Sequence, residues 1–265
     1  MFDRRTLEIT YFSFIRPILE YSDVVWDNCS LQVQTELERV QYEAARIVTG
    51  CSKVVSLDRL MLEVGWESLG ERRRKHKLIL IYKIINGLAP DYLSSLVPEL
   101  VAQNVSYELR NRTDIRLPKF RTDLYSRSFL PSALRDWNSL PANVRESPSL
   151  AAFKCHLNRN RPTSSKLYYY GDRRLQVLHT RLRTENSSLN HHLFSKNLID
   201  SPLCRCGSIE TTEHFLLQCT RYTHIRQLLI ASVSAITTPC LHTLLYGDDS
   251  LDYNVNSIIF YLVQS

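Results

Sequence analysis

Three cysteines and one histidine within a short stretch carry the clearest chemistry of this chain. Cys204, Cys206, His214 and Cys219 follow the spacing C-x-C-x7-H-x4-C. Three soft thiolates and one imidazole suit a tetrahedral structural zinc, and they leave no position open for a catalytic water. The alternative is four unrelated residues, three of them buried thiols. The pattern therefore predicts one structural zinc ion.

The local elements must bring these four side chains to one point. Gly207 follows the second cysteine, where a tight loop needs permissive backbone. Thr211 or Thr212 is predicted to cap a helix that carries His214. In an unbroken α-helix Cys219 would lie roughly 140° round the axis from His214. We therefore expect the helix to start, tighten or end between these two ligands.

Helical signals recur along the rest of the chain. The 265 residues are 44% hydrophobic and include only 7 glycines, so a core can form and helix should dominate. An amphipathic helix is predicted from Leu31 to Val48, and a capping box at Ser68 opens another that ends near Gly87. Further caps are predicted at Ser132 and Ser149. Four side chains are expected to be buried: Val40, Ile81, Ile84 and Trp137.

These signals predict a mainly α protein in three parts. Residues 1–157 are expected to form an irregular helical body, and residues 158–200 a basic linker and helix. Residues 201–265 are expected to form a small zinc-binding C-terminal domain. The body's core is predicted not to depend on the metal.

Composition also indicates which cellular compartment and which partners to expect. The sequence has no run of eighteen apolar residues, so we expect no membrane partner. The first residues include acidic side chains and lack a long apolar core, unlike a signal peptide. The 7 cysteines include four at zinc spacing, which favours a reducing compartment. We expect an intracellular protein, nuclear or cytoplasmic.

The net charge of +6 is unevenly distributed. Residues 1–70 have 7 basic and 11 acidic side chains, a net charge of −4. Residues 71–200 have 23 basic and 11 acidic side chains, a net charge of +12, and residues 201–265 have 3 and 5, a net charge of −2. A basic middle segment followed by a zinc module is typical of a protein that binds polyanions.

Basic residues interleaved with aromatic ones suit a surface that follows a nucleic-acid backbone. Five cations near the start of one helix oppose its dipole, which suggests an anionic partner. The alternatives are solvated helix faces, or ion pairs with acids of the first seventy residues that hold the fold together. The predicted nucleic-acid contacts are Arg72, Arg73, Arg74, Lys75, Lys77, Arg121, Tyr168, Tyr169, Arg173, Arg174 and Arg181.

A series of motifs in order resembles one family. The motifs are IRPILEYSDVVWD at 15–27, LERVQYEAARIVTG at 37–50, YKIINGLAPDYL at 82–93, RNRTDIRLPKFRT at 110–122, SFLPSALRDWNSLP at 128–141, SLAAFKCHL at 149–157, LRTENSSLNHHLF at 182–194 and CRCGSIETTEHFLLQC at 204–219. Together they resemble the C-terminal part of the reverse-transcriptase protein of animal non-LTR (LINE-type) retrotransposons. The resemblance covers most of the chain.

The resemblance implies a thumb-like helical segment that leads to a CCHC zinc knuckle which handles RNA or DNA. By position, the three cysteines and the histidine match the family's four metal ligands. In the family, fingers and palm precede this region, and nothing in the chain corresponds to them. The chain is therefore expected to be a fragment, a truncated copy or a separately encoded remnant. Its expected partners are RNA or DNA and the missing polymerase portion of the same element.

One short motif imitates a polymerase site. Tyr246-Gly247-Asp248-Asp249 matches the Y-x-D-D pattern of a palm, whose carboxylates hold two metal ions. Here the motif follows the zinc module, without an upstream metal-binding aspartate or a bed of strands. A turn between Leu245 and Leu251 explains it more simply. The sequence therefore predicts no catalytic residues and no enzyme.

Two classes of function remain open. The leading interpretation is a nucleic-acid-binding accessory segment of a retroelement polymerase. The second is a zinc-stapled protein-interaction domain, either adopted by a host or inert. Salt-dependent binding to single-stranded RNA distinguishes the two.

Overall fold

The computed structural model describes residues 2–98, 114–165, 167–248 and 250–251. Helix dominates these residues, and they contain no β-strand beyond one isolated antiparallel bridge between Leu203 and Ile209. The α-helices are α1 Arg4–Thr10, α2 Arg16–Leu19, α3 Asp23–Trp26, α4 Leu31–Thr49, α5 Leu57–Val64, α6 Leu69–Ile85, α7 Asp91–Ser94, α8 Asp123–Arg127, α9 Phe129–Asn138, α10 Ala142–Arg145, α11 Leu150–Asn158, α12 Arg173–Arg183, α13 Asn190–Phe194, α14 Thr223–Ser234 and α15 Leu241–Tyr246. Two π-helical turns, Tyr11–Ile15 and His214–Gln218, and a 3-10 turn, Thr220–Tyr222, complete the described elements. The predicted mainly α class is confirmed.

Local sequence signals account for several helix ends. The Ser68 hydroxyl accepts a hydrogen bond from the Glu71 amide at 3.1 Å, and Ser149 caps α11 in the same way. The prediction for Ser132 is wrong, because α9 begins at Phe129 and Ser132 lies inside it. Gly65 ends α5 with a φ of 65°, a left-handed conformation that glycine adopts at little cost.

The described chain divides into two compact units that interleave along the sequence. Unit 1 comprises residues 1–15, 40–66 and 162–265, and unit 2 comprises residues 16–39 and 67–161. The predicted division at 157 and 201 differs from this one, because residues 1–15 and 40–66 belong with the C-terminal part. The boundary at 161–162 does fall inside the predicted linker.

Unit 1 is built around a buried polar network. Arg4 is fully buried and donates to the Tyr168 carbonyl at 2.6 Å and to the Thr180 hydroxyl at 2.8 Å. Arg183 donates through Nε to Glu63 Oε2 at 2.9 Å, and Thr180 donates to Glu63 Oε1 at 2.7 Å. Because a buried charge without a partner is costly, these paired groups tie α1, α5 and α12 to one arrangement.

Apolar contacts surround this network within unit 1. The Tyr11 and Trp66 rings stack with centroids 4.6 Å apart, and the Trp66 indole donates to Glu8 at 3.0 Å. A second cluster joins the C-terminal helices through Leu216, Leu229, Val233, Leu244 and Leu245.

Unit 2 has a compact apolar core. Ile81, Ile84 and Trp137 are buried in it, as predicted. Tyr82 stacks on Phe153 with ring centroids 4.5 Å apart and donates its hydroxyl proton to a backbone carbonyl. The core thus joins α6, α9 and α11.

The prediction that Val40 is buried is wrong, since it is 43% exposed. In unit 1 the buried face of α4 carries Gln41, Ala45 and Val48 instead. The Gln41 side chain accepts a hydrogen bond from the Tyr11 hydroxyl at 2.9 Å. The side of α4 that is buried therefore differs from the predicted side. It is held by a polar contact and by smaller apolar side chains.

In the described part of the chain, no helix combines the length and hydrophobicity needed to cross a membrane.

Candidate functional site

The four predicted metal ligands converge in unit 1. Their ligand atoms all lie within 4.8 Å of one another. The Sγ atoms of Cys204 and Cys219 are 3.7 Å apart, close to the edge of about 3.8 Å that a tetrahedron with Zn–S bonds of about 2.3 Å requires. The distance from Cys206 Sγ to His214 Nε2 is 3.2 Å. The cluster is therefore compatible with a bound metal ion such as zinc.

A short loop presents the first two cysteines. The Cys204 amide donates to the Ser208 carbonyl at 2.7 Å, and the Gly207 amide donates back to Cys204 at 2.9 Å. Gly207 has a φ of 93° and open space around its missing Cβ. Its glycine is thus needed for backbone conformation, as the sequence predicted, and not for close packing.

The second pair of ligands lies on either side of a π-helical turn. Thr211 caps this helix, since its hydroxyl accepts from the His214 amide at 3.0 Å. The turn widens to π geometry over His214–Gln218 and ends there, so Cys219 is its C-terminal cap. In a π-helix residue i is hydrogen-bonded to residue i+5, which returns Cys219 towards His214. The predicted end between the two ligands is confirmed, although the turn widens and does not tighten.

Basic side chains compensate for the anionic ligand set. Three thiolates and a neutral imidazole around a divalent ion carry a net charge of −1. A hydrogen bond to Cys204 raises the pKa of the Arg221 guanidinium, and Arg226 donates to the carbonyl oxygen of Cys219. Both arginines would therefore stabilise the loaded site.

The surroundings of Cys206 and Cys219 shift the pKa values of these two ligands in opposite directions. A hydrogen bond from the Ser208 backbone lowers the pKa of Cys206, which favours the thiolate that binds metal. Burial raises the pKa of Cys219. A bound cation would offset that effect, because metal binding stabilises the deprotonated ligand.

Neighbouring helices hold the cluster from outside. The Asn190 side chain donates to the Leu203 carbonyl at 2.6 Å, beside the first ligand. His192 is buried between the Ser187 hydroxyl at 2.8 Å and the Thr212 hydroxyl at 3.3 Å. These bonds tie the metal cluster to α13, and sequence reasoning missed this role of Asn190 and His192.

Ion pairs within unit 2 account for much of the positive charge of α6. Arg73 is only 2% exposed, and its Nε lies 2.8 Å from Asp27 Oδ1. Lys77 lies 2.7 Å from Asp27 and 3.4 Å from Asp136. Arg74 is partly exposed and lies 3.4 Å from Asp136. The chain's own carboxylates therefore pair with these three cations.

The remaining cations of α6 are paired in the same way. Arg72 Nη2 lies 2.9 Å from Glu20 Oε2, and Lys75 forms an ion pair with Glu67. Both acids belong to the first seventy residues. These ion pairs agree with the alternative interpretation, in which the cations stabilise the fold.

The tyrosines and Arg173 also have structural surroundings. Tyr168 is fully buried, and its ring lies 4.1 Å from the Arg4 guanidinium carbon. Arg173 donates to the last carbonyls of α4, at Ile47 and Val48. Tyr169 differs, because 44% of it is exposed.

The predicted nucleic-acid contacts differ in exposure and pairing, and the surface they were assigned to stays a prediction. Several of them are buried or form ion pairs with carboxylates: Arg72, Arg73, Lys75, Lys77, Tyr168 and Arg173. Others are partly or fully exposed and stay predicted contacts: Arg74, Arg121, Tyr169, Arg174 and Arg181.

Sequence reasoning missed a further basic group in unit 2. Lys154, Arg159 and Arg161 are exposed at and after the C-terminal half of α11. None of them forms an ion pair with a described residue. The available signal was that residues 147–171 contain no aspartate or glutamate, whereas their arginines had been assigned to a linker.

The described part of the Y-x-D-D motif forms the predicted turn. The Leu251 amide donates to the Asp248 carbonyl at 3.2 Å. The Asp248 carboxylate accepts from the Ser250 amide at 2.9 Å and from the Thr237 hydroxyl at 2.8 Å. Asp249 lies outside the described residues. Local hydrogen bonds thus explain why an aspartate occupies position 248.

Comparisons with protein-family models, with curated proteins and with solved structures found no match to this chain.

Proposed function

We propose that this chain is a nucleic-acid-binding segment of the reverse-transcriptase protein of a non-LTR retrotransposon. It binds RNA or DNA through phosphate contacts and performs no catalysis of its own. A structural zinc at the Cys3His cluster, acting as a CCHC knuckle, stabilises the local fold from which part of the binding surface is presented.

The observation that carries this proposal is the exposed basic face of α12, formed by Arg174 and Arg181. Seven residues complete about two helical turns, so these two side chains lie on the same face. Neither forms an ion pair with a described acid. Leu182, at the end of the same helix, accepts a hydrogen bond from Thr212 near the metal cluster at 3.4 Å. Free cations on one face suit a phosphate backbone.

Unit 2 contributes a second group of cations that form no ion pair with a described residue: Lys154, Arg159 and Arg161. Phosphate contacts carry no base information, so the proposal predicts little sequence preference. It also predicts a steep salt dependence. On a single strand the log–log slope is roughly −0.7 for each phosphate contact.

Fluorescence anisotropy with a labelled single-stranded RNA at several salt concentrations tests the proposal. We expect Arg174→Glu with Arg181→Glu to weaken binding and to reduce the salt slope by about 1.4, the share of two phosphate contacts. The matched control is Arg5→Glu with Lys53→Glu, which changes the net charge equally at exposed positions elsewhere in unit 1.

An equal loss of RNA affinity in both double variants would show that binding depends on net charge and not on the basic face of α12. Binding that is absent or insensitive to salt in the wild-type protein would contradict the proposal. Thermal melts of each variant separate lost binding from lost folding.

One observation favours the second candidate, a protein-interaction domain. Large apolar side chains of unit 2 are exposed on and around α2–α4. Ile18, Tyr21, Val25 and Leu31 are each more than 70% exposed. Such residues are typical of surfaces that another protein covers. On the leading proposal, the polymerase portion of the same element is the protein that covers them.

A further inference from the structure

Unit 1 contains a cleft of about 910 Å³ that is separate from the metal cluster and from the basic face of α12. It lies between α5, residues 163–165, the end of α12 and α15. Its size is within the range of about 300–1,000 Å³ that is usual for small-molecule sites. The residues that line it determine what kind of ligand it suits.

The mouth of the cleft carries an exposed ion pair. Arg59 Nη1 lies 2.6 Å from Glu185 Oε2, and both side chains are about half exposed. Glu185 has a φ of 53°, a conformation that costs energy for a residue other than glycine. Lys196 donates to the Glu185 carbonyl at 3.3 Å, so a second cation lies beside the pair. Arg59 thus pairs with an exposed carboxylate at the mouth of the cleft, and Lys196 lies beside the backbone of the same residue.

The floor of the cleft offers no free charge. Both Glu63 oxygens accept hydrogen bonds from Thr180 and Arg183, and Arg183 also donates to the Leu245 carbonyl at 3.1 Å. The hydroxyls of Thr163 and Ser164, by contrast, make no hydrogen bond within the described part of the chain. The lining therefore favours a neutral group that has both donors and acceptors.

Aromatic rings complete the cleft. His242 and Tyr246 stack with centroids 5.1 Å apart and an interplanar angle of 26°. The Tyr169 hydroxyl is held by Glu8, which leaves its ring partly exposed at the cleft. Such ring faces are platforms for a planar base.

Close packing fixes the hydroxyl-bearing wall. A Cβ added to Gly65 would lie 2.3 Å from the Ser164 amide nitrogen and 2.6 Å from the Thr163 carbonyl carbon. Residue 65 must therefore be glycine for this segment to pack against the end of α5. Backbone contact thus fixes the position of the segment that carries these two hydroxyls.

We propose that this cleft binds a nucleotide, either free or as one unit of a single strand. The base stacks on the rings of His242, Tyr246 and Tyr169, and the hydroxyls of Thr163 and Ser164 bond its polar edge or the sugar. Arg59 binds the phosphate in place of Glu185. A sugar alone would not use the arginine, and a phosphate alone would not use the rings. The inference goes beyond the surface contacts proposed above and does not depend on them.

Calorimetric titration of the full zinc-loaded chain with adenosine 5′-monophosphate, adenosine and inorganic phosphate tests the inference. The monophosphate should bind most tightly. Arg59→Gln should weaken it about tenfold, the cost of one charge-assisted hydrogen bond, and leave adenosine unaffected. Glu185→Gln should strengthen monophosphate binding several-fold, because it removes the competing carboxylate. His242→Ala should weaken the monophosphate and adenosine alike.

Lys53→Gln is the matched control, since Lys53 is exposed in unit 1 and does not line the cleft. Titration with a five-nucleotide RNA distinguishes the two sources. Tighter binding than the monophosphate, with the same loss in Arg59→Gln, identifies a strand as the ligand, and equal binding identifies a free nucleotide.

Three results would overturn the inference: no monophosphate binding at millimolar concentration, equal binding of inorganic phosphate and monophosphate, or an unchanged affinity in Arg59→Gln. The outcome is distinct from that of the α12 test. If substitutions in the cleft leave monophosphate affinity unchanged, the Arg174 and Arg181 double variant can still show weaker RNA binding.

Discussion

The amide of Cys219 donates a hydrogen bond to the carbonyl oxygen of His214, five residues earlier, at 2.7 Å. This closure brings two candidate ligands to one point through the backbone alone. Thr211 fixes the start of the same turn, and Arg226 donates to the Cys219 carbonyl at its end. Contacts that do not involve a metal thus preorganise half of the ligand set, which reduces the conformational entropy lost on metal binding.

Cys206→Ser is predicted to abolish stoichiometric zinc binding. The wild-type chain should contain one zinc ion, because four suitable ligand atoms converge. Serine lacks a thiolate, so three ligands remain and the affinity falls. Elemental analysis of the purified, reduced protein measures the ratio. Cys155→Ser is the matched control, since Cys155 is exposed in unit 2 and should leave the ratio at one. Zinc-free wild-type protein would contradict the site.

Removal of zinc is predicted to loosen unit 1 and to spare the core of unit 2. The ligands lie in unit 1, and the binding free energy of a structural zinc contributes to folding. After chelation, hydrogen exchange should accelerate in α13, α14 and the π-helical turn at His214–Gln218. Protection at the α6 residues around Ile81 should persist, since they pack on α9 and α11. Loss of protection in both units at once would show that the fold is a single cooperative structure.

The sequence predicted the metal cluster well because its information is local. Four ligands within one short segment need only a loop and a helix end, and both have recognisable signals in Gly207 and Thr211. The π-helical geometry of the turn at His214–Gln218 was not predicted, because a π-helix has no characteristic sequence pattern. The isolated bridge between Leu203 and Ile209 is likewise set by backbone geometry.

The charged residues were harder to interpret for a related reason. A run of cations on α6 has the same sequence pattern whether its anionic partner is a nucleic acid or the protein itself. The partners of Arg73 and Lys77 lie far along the chain at Asp27 and Asp136, and no local rule reveals such pairs. The interleaved division into two units also depends on these long-range contacts.

Arg73→Ala is predicted to destabilise the protein by about 2–3 kcal/mol, somewhat less than breaking a fully buried pair, because Asp27 keeps Lys77 as a partner. Arg73 also lies 5.7 Å from the Trp26 ring centroid, so some packing is lost as well. Urea denaturation measures the difference. Arg121→Ala, at an exposed position, should change stability by less than about 0.5 kcal/mol. Equal effects of the two substitutions would refute the structural role of Arg73.

His179 is predicted to make the protein less stable as the pH falls. Burial, followed by the nearby Arg183 guanidinium, lowers the pKa of His179 well below its ordinary value. Its Nε2 lies 3.2 Å from the Leu244 carbonyl, and its Nδ1 faces Arg183, so the neutral ring fits both partners. In the unfolded chain the ring gains a proton below about pH 6.5, whereas in the folded chain it stays neutral.

The unfolded state therefore binds more protons below that pH. The contribution to stability is complete above about pH 6.5 and is lost as the pH falls towards the folded pKa, by up to about 1.4 kcal/mol per pH unit. Urea denaturation between about pH 5 and pH 7.5, with excess zinc, measures the slope. His179→Gln should flatten the slope, whatever its effect on overall stability, because one titrating group is removed. His156→Gln, at an exposed position on α11, is the matched control. If His179→Gln keeps the wild-type slope, the pH dependence belongs to other groups and the neutral buried ring is not its cause.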